Sequence, residues 1–191
     1  MTSTSSPTTS KKGSESTLSS TTTRSSKSPL ASDNWYSHKL LTRDQLPAWR
    51  QALRAAGKTL ATLNGSFDLL HAGHLHIIYE ASLQADILLL ALNTDDSIKG
   101  YKGPTRPLIS LPDRLKMICA LSFVDYATSF PEPNPIPLLQ LLQPDVHVNG
   151  SEYGENCIEA DTVRKHGGRL HIVDLVPGLS TSNLIKKIQC A

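Results

Sequence analysis

The stretch Asn64-Gly65-Ser66-Phe67-Asp68-Leu69-Leu70-His71-Ala72-Gly73-His74 lies between two segments of different periodicity. Before it, Thr59-Leu60-Ala61-Thr62-Leu63 is a short apolar run that reads as a buried parallel strand. After it, Leu75, Ile77, Ile78, Ala81 and Leu83 recur at roughly helical spacing as far as Gln84. The turn and both histidines therefore join a strand's carboxyl end to a helix's amino end. Ligands bind there in open α/β sheets, and the unpaired N–H groups of a helix N-terminus favour anions. Gly65 and Gly73 carry no Cβ, so backbone can approach a ligand closely. Two imidazoles three residues apart suit a phosphate whose charge grows during a reaction. The same residues also read as structural histidines beside an apolar helix, or as an H-x-x-H metal pair.

Working outward toward the N-terminus, Thr42-Arg43-Asp44-Gln45 is a capping box for a helix running to Ala56. Pro47 lacks an N–H, so the regular helix can begin there instead. Gly57 ends it. Residues 1–33 are dominated by Ser and Thr, with Lys11, Lys12, Arg24 and Lys27 but few acids. They lack the apolar residues that offset the entropy of ordering, which predicts a disordered tail ahead of one domain at 34–191. A transit peptide and a phosphorylated tail are the functional readings; a solvated extension without a catalytic role is preferred.

In the other direction, Asp86 to Leu92 is a second buried strand opening onto Asn93-Thr94-Asp95-Asp96-Ser97. That polar run reads equally as a ligand loop and as a helix N-cap. Ile98 to Pro107 reads as a basic Gly/Pro-rich loop in which Lys102 and Arg106 either cover phosphates or face solvent. Leu111 to Leu121 reads as a helix with Ser110 at its N-cap and Arg114 in its first turn, reaching phosphate or pairing with Asp113. Phe123 to Ala127 is the third expected strand, Leu138 to Leu142 a helix ending at Pro144, and Asp145 to Val148 the fourth strand. Cys157 to His166 reads as a helix and Arg169 to Val173 as the fifth strand. Ser180-Thr181-Ser182 then open an amphipathic helix whose N-terminus offers hydroxyls, N–H groups and a dipole to phosphates. About five strands alternating with helices predict an α/β, Rossmann-like parallel sheet with helices on both faces.

The chain has 191 residues and a formal net charge of +2, a balance that points to no nucleic-acid partner. No apolar run is long enough to span a bilayer. Cys119, Cys157 and Cys190 have no C-x-x-C spacing and read as free thiols in a reducing compartment. The expected location is cytoplasmic, or organellar if the tail is a transit peptide. A homodimer is left open.

The run from Asn64 to His74 resembles the HxGH element of the nucleotidyltransferase superfamily, in its cytidylyltransferase-like branch. Within that branch, Lys99-Gly100 to Arg106-Pro107 and Gly178-x-Ser180-Thr181-x-Asn183-Leu184-Ile185-Lys186-Lys187-Ile188 resemble the heptose 1-phosphate adenylyltransferases. The likeness extends over nearly all of residues 39–190. Glycerol-phosphate cytidylyltransferases carry an arginine three residues before the equivalent of Gly178, where Leu175 stands here. Asn149-Gly150-Ser151-Glu152-Tyr153 departs from the heptose enzymes' Lys-Gly-Gly-Asp-Tyr. The resemblance implies transfer of AMP from ATP to a sugar 1-phosphate, with Mg²⁺ accompanying ATP. It implies His71, His74 and Lys102 as catalytic residues. Asn64, Gly65, Phe67, Gly73, Arg114, Gly150, Glu152, Ser180, Thr181 and Ser182 would hold nucleotide and phosphate. Asp68, Asp95 and Arg106 are weaker acceptor-binding expectations. No protein metal ligand is expected, with Asp68 as the one exception open. The alternatives are a CTP-dependent cytidylyltransferase for glycerol or ethanolamine phosphate and a non-catalytic nucleotide-binding module.

Overall fold

A computed structural model describes residues 35–190; the tail expected at 1–33 lies outside the described residues. Five strands form one all-parallel sheet: β1 (Leu60–Gly65), β2 (Ile87–Asn93), β3 (Tyr126–Phe130), β4 (Val146–Gly150) and β5 (Arg169–Val173). Their order is β3-β2-β1-β4-β5. The helices are α1 (Leu46–Ala55), α2 (Ala72–Ser82), α3 (Asp95–Lys102), α4 (Leu111–Cys119), α5 (Ile136–Leu142), α6 (Ala160–Lys165) and α7 (Thr181–Gln189). Connections after β1 run one way along the sheet and connections after β4 run the other. A crevice therefore opens beyond the carboxyl ends of β1 and β4, the switch point where α/β proteins bind ligands.

The apolar run of β2 is buried on both sides because successive side chains point to opposite faces. Leu88, Leu90 and Leu92 join Ile78 and Ala81 of α2 and Ile118 and Cys119 of α4. Leu89 and Ala91 join Leu46 of α1 and Leu138 and Leu142 of α5. Each fully buried leucine contributes about 1.5–3 kcal/mol. On the α1/α5 face, Thr62 Oγ1 lies 2.8 Å from His147 Nδ1, a polar pair inside the sheet. Gln143 adopts φ 44° where α5 ends, and the buried Arg50 guanidinium donates to the Leu142 and Gln143 carbonyls.

Several boundaries differ from the sequence expectations. The Thr42–Gln45 capping box is present, but it closes a 3₁₀ turn at Arg43–Gln45, and α1 starts at Leu46 with Pro47 in its first turn. The third strand starts at Tyr126 rather than Phe123. Residues 123–125 lead into it, with the Asp125 carboxylate accepting the Leu88 N–H at 2.9 Å. The segment expected as a loop from Ile98 is helical to Lys102, because Thr94 caps α3 through the Ser97 N–H. Residues 157–159 precede α6 instead of belonging to it.

On the outer side of β3, Leu40 bridges to Ala127 and the Leu41 N–H donates to the Ala127 carbonyl at 2.9 Å. Thr128 Oγ1 donates to the Leu41 carbonyl. Lys39 Nζ donates to the Leu121 and Val124 carbonyls at 3.2 and 2.6 Å. Among the described residues, no helix is long and apolar enough to cross a membrane.

Candidate active site

The loop leaving β1 turns sharply at Phe67, whose φ of 45° is costly for a residue with a side chain. Burial of its ring holds it there. A Cβ at Gly65 would lie 3.2 Å from that ring, so glycine makes the fit possible. His71 is the N-cap of α2, and its Nδ1 accepts the His74 N–H at 3.3 Å. That bond leaves Nε2 of His71 as the N–H-bearing nitrogen in its neutral form. The two imidazoles stack with centroids 3.9 Å apart, and Phe67 packs 5.5 Å from His74. A Cβ at Gly73 would come within 3.0 Å of the His71 ring and 3.2 Å of Leu179, tighter than most side-chain contacts, so glycine eases the approach of α2 to the α7 entry.

Opposite the histidines, Ser180 caps α7, its Oγ accepting the Asn183 N–H at 3.1 Å. Thr181 and Ser182 follow in the first turn. All three line a cavity of about 290 Å³ together with Asn64, Gly65, Phe67, His71, Gly73, His74, Lys102, Gly150 and Glu152. The structure thus brings together most of the residues that the sequence nominated from four distant segments. The Glu152 carboxylate lies across Gly150, where any Cβ would collide with it. Lys102 ends α3 and donates to Ser66 Oγ at 3.0 Å.

Burial pulls the His74 pKa down to about 4, with the neighbouring His71 and Lys102 adding to the effect. Burial also lowers His71. Lys102 is lowered by burial and then by Arg106 and Arg114. Basic groups held below their ordinary values thus line this cleft, and an anion beside them would favour their protonated forms.

Asp68, Asp95, Arg106 and Arg114 lie outside the lining of this cavity and of the one beside it. Arg114 is fully buried. It donates to the Ile109, Ser66 and Asn93 carbonyls at 3.0, 2.6 and 2.9 Å and to Asp95 Oδ1 at 2.7 Å. It braces the residues at the ends of β1 and β2 and the loop before α4 with four of its five N–H donors. Asp95 is held by that bond and by the Leu111 N–H. Asp68 is also fully buried, accepting from Leu108 N, Ile109 N and Arg106 Nε at 2.8, 2.9 and 2.7 Å. Burial alone would raise its pKa, but the two N–H groups and Arg106 hold it below the ordinary value. Both its oxygens accept hydrogen bonds, and Arg106 pairs with it through one edge of the guanidinium.

A second cavity of about 230 Å³ adjoins the first and shares Asn64, Gly65, Ser66, Lys102, Asn149 and Tyr153 with it. Asn93, Tyr101, Asn134 and Glu159 complete its polar lining. Sequence reading did not nominate these four as site residues, although Asn93 opened the polar run read as a ligand loop and Tyr101 lay in the basic segment; Asn134 and Glu159 carried no signal.

Buried imidazoles make stability pH-dependent. His147 is fully buried, and burial lowers its pKa to about 4 from 6.5. Above pH 6.5 both folded and unfolded chains are neutral at this group. Between 6.5 and 4 the unfolded chain takes up a proton that the folded chain refuses, so stability falls as pH drops. The loss at this residue is about 3 kcal/mol across that window, with His74 acting in the same direction. Urea unfolding at pH 7 and pH 4.5 checks it. His147→Gln should flatten part of the fall, and an equal fall in the variant would remove His147 as its source.

A family model described as cytidylyltransferase-like matches residues 62–186. The bifunctional protein HldE of Syntrophotalea carbinolica is 42% identical over 154 residues, covering 80% of this chain and 31% of that protein. The protein of the same name from Methylobacillus flagellatus is 42% identical over 151 residues, covering 78% and 31%. The chain therefore spans less than a third of the length of these relatives. Among solved structures, a lipopolysaccharide core biosynthesis protein from Thermoplasma volcanium is similar with a TM-score of 0.51 and 28% identity, covering 63% of this chain and 98% of that one. Pantoate-beta-alanine ligase from Francisella tularensis, at 14% identity and a TM-score of 0.55 over 80% and 79% of the two chains, shares the fold alone.

Proposed function

The chain belongs to the cytidylyltransferase-like family of nucleotidyltransferases, and from that membership we propose that it transfers AMP from ATP to a sugar 1-phosphate, with heptose 1-phosphate as the acceptor. The observation that carries this reading is a single cleft. The stacked His71–His74 pair at the N-terminus of α2 shares it with the hydroxyl-bearing N-terminus of α7 and with Lys102. An oxygen of the acceptor phosphate attacks the α-phosphorus in line, and the bond from that phosphorus to the β-phosphate's bridging oxygen breaks. ADP-sugar and pyrophosphate result. The attacking oxygen is already anionic, so positioning and charge stabilisation carry the rate instead of a strong base.

Each group then has a task. Neutral His71 and His74 donate N–H to the α-phosphate oxygens as charge collects there. Ser180, Thr181 and Ser182 hold the β- and γ-phosphates with hydroxyls and the positive end of α7. Lys102, at the wall between the two cavities, neutralises the phosphates as they approach one another. Asn64 and Gly150 form the floor at the switch point. Mg²⁺ belongs to the proposal as the ion carried by ATP, whose role is to offset triphosphate charge. The Glu152 carboxylate and the α7 hydroxyls are oxygen donors of the type it accepts.

The choice of ATP and a heptose acceptor rests on the terminal Gly178–Ile188 motif and on Leu175 in place of an arginine. Pyrophosphate release tests it, with ATP or CTP crossed against heptose 1-phosphate, glycerol 3-phosphate and ethanolamine phosphate. Release with ATP plus heptose 1-phosphate alone is expected. Release only with CTP and a small alcohol phosphate overturns the assignment. ATP binding without release from any pair points to the non-catalytic module.

A further inference from the structure

The second cavity contains a group that this mechanism does not use. Glu159 is 6% exposed and lines the wall of that cavity. Its amide neighbour is Asn149, whose Nδ2 is 3.5 Å from Glu159 Oε2 and 3.2 Å from Cys157 Sγ. No cationic side chain forms an ion pair with Glu159 among the described residues. A carboxylate withdrawn from water with only weak amide and thiol contacts is costly unless a ligand completes its hydrogen bonds.

The rest of the cavity indicates what that ligand is. Asn93 and Asn134 add carboxamides, and Tyr101 and Tyr153 present two largely exposed rings at its walls. Carboxylate and carboxamides beside aromatic faces suit a compact, uncharged skeleton bearing several hydroxyls. Such a skeleton donates to the carboxylate and lays its C–H surface on the rings. The wall shared with the first cavity carries Lys102 and Ser66, so a phosphate on that skeleton would lie next to the α-phosphate position.

Resting on the reading of the chain as a nucleotidyltransferase, we propose that Glu159, oriented by Asn149, is the specificity-determining residue for the acceptor, accepting hydrogen bonds from hydroxyls of a phosphorylated polyol. A site built around a buried hydrogen-bonding group rejects analogues that leave it unpaired, which gives the enzyme a means of excluding smaller phosphates. Glu159 touches neither the triphosphate nor the reacting atoms in this arrangement. Its effect therefore falls on acceptor affinity.

The test compares wild type with Glu159→Gln and Tyr153→Ala, using heptose 1-phosphate, ethanolamine phosphate and inorganic phosphate as probes. Gln preserves volume and the Asn149 neighbourhood, and Tyr153 is exposed enough for its removal to leave folding intact; unliganded melting temperatures check both. Each variant is expected to raise the KM of heptose 1-phosphate by about tenfold or more, with the KM of ATP within about twofold of wild type. An unchanged acceptor KM in Glu159→Gln, or a parallel rise for ATP, overturns the proposal while leaving the nucleotidyl transfer intact. If wild type turns over nothing, the proposed reaction fails separately and melting shifts decide the pocket. A shift with heptose 1-phosphate that is lost in Glu159→Gln supports the role of Glu159, and no shift in wild type overturns it. Glu159-dependent binding of ethanolamine phosphate in place of the sugar phosphate also overturns it, by making the carboxylate an ammonium site.

Discussion

Replacing His74 by alanine is expected to lower kcat by about 10²–10³-fold, the scale of removing one preorganised donor from a charged transition state. The ring is held on three sides, by His71 at 3.9 Å, by Phe67 at 5.5 Å and by its own helix. It pays no reorganisation when the α-phosphate becomes crowded with charge. Its pKa near 4 keeps it neutral at pH 7 until an anion arrives. The KM for ATP should move much less, because in the proposed arrangement Ser180 to Ser182 hold the other end of the triphosphate. Steady-state pyrophosphate release with a melting curve as folding control measures this. A folded variant turning over near the wild-type rate would remove His74 from the chemistry.

The second large effect is on stability. Arg114→Ala should cost roughly 3–5 kcal/mol, as expected when one partner of a buried charged network is removed. The variant leaves the Ser66, Asn93 and Ile109 carbonyls without their donor and empties the space of the guanidinium. Little of the loss comes from the Asp95 charge itself, since that carboxylate is a third exposed and screened. Arg114→Lys should recover only a small part, because one ammonium cannot reach acceptors spread around a planar fork. Urea titration reads the difference, and a loss below about 1 kcal/mol in Arg114→Ala would contradict the bracing role.

Arg114 also marks the limit of what residue type and position disclose. An arginine in the first turn of a helix near a phosphate loop looks like a phosphate ligand. Whether it turns outward depends on which carbonyls at neighbouring strand ends lack partners, and those come from Ser66 and Asn93, 48 and 21 residues away. The sheet itself was legible because buried parallel strands are continuous apolar runs, as in Ile87–Asn93. Its third strand was misplaced because Phe123 and Val124 are apolar for another reason. Val124 belongs to the core from a connecting segment. The first cavity was legible because many of its residues cluster in two motifs at the starts of α2 and α7. The second was not, because Asn93, Tyr101, Asn134 and Glu159 share no spacing and meet only where the connections leaving β2, β3 and β4 converge.

The strap of residues 39–41 along β3 bears on how fragments of this chain would behave in solution. A parallel sheet left open at its border offers a row of unpaired amides to any neighbouring copy, which is how ordered aggregates begin. Leu40, Leu41 and the Lys39 ammonium occupy the outer side of β3 and the carbonyls leading into it. A protein trimmed to residue 35 retains this guard. One trimmed to residue 42 keeps every residue of the cleft and both histidines, yet exposes a border competent for self-association. Solubility and completeness of the cleft are therefore set by different parts of the chain, and the first is decided well upstream of the motif proposed to perform the chemistry.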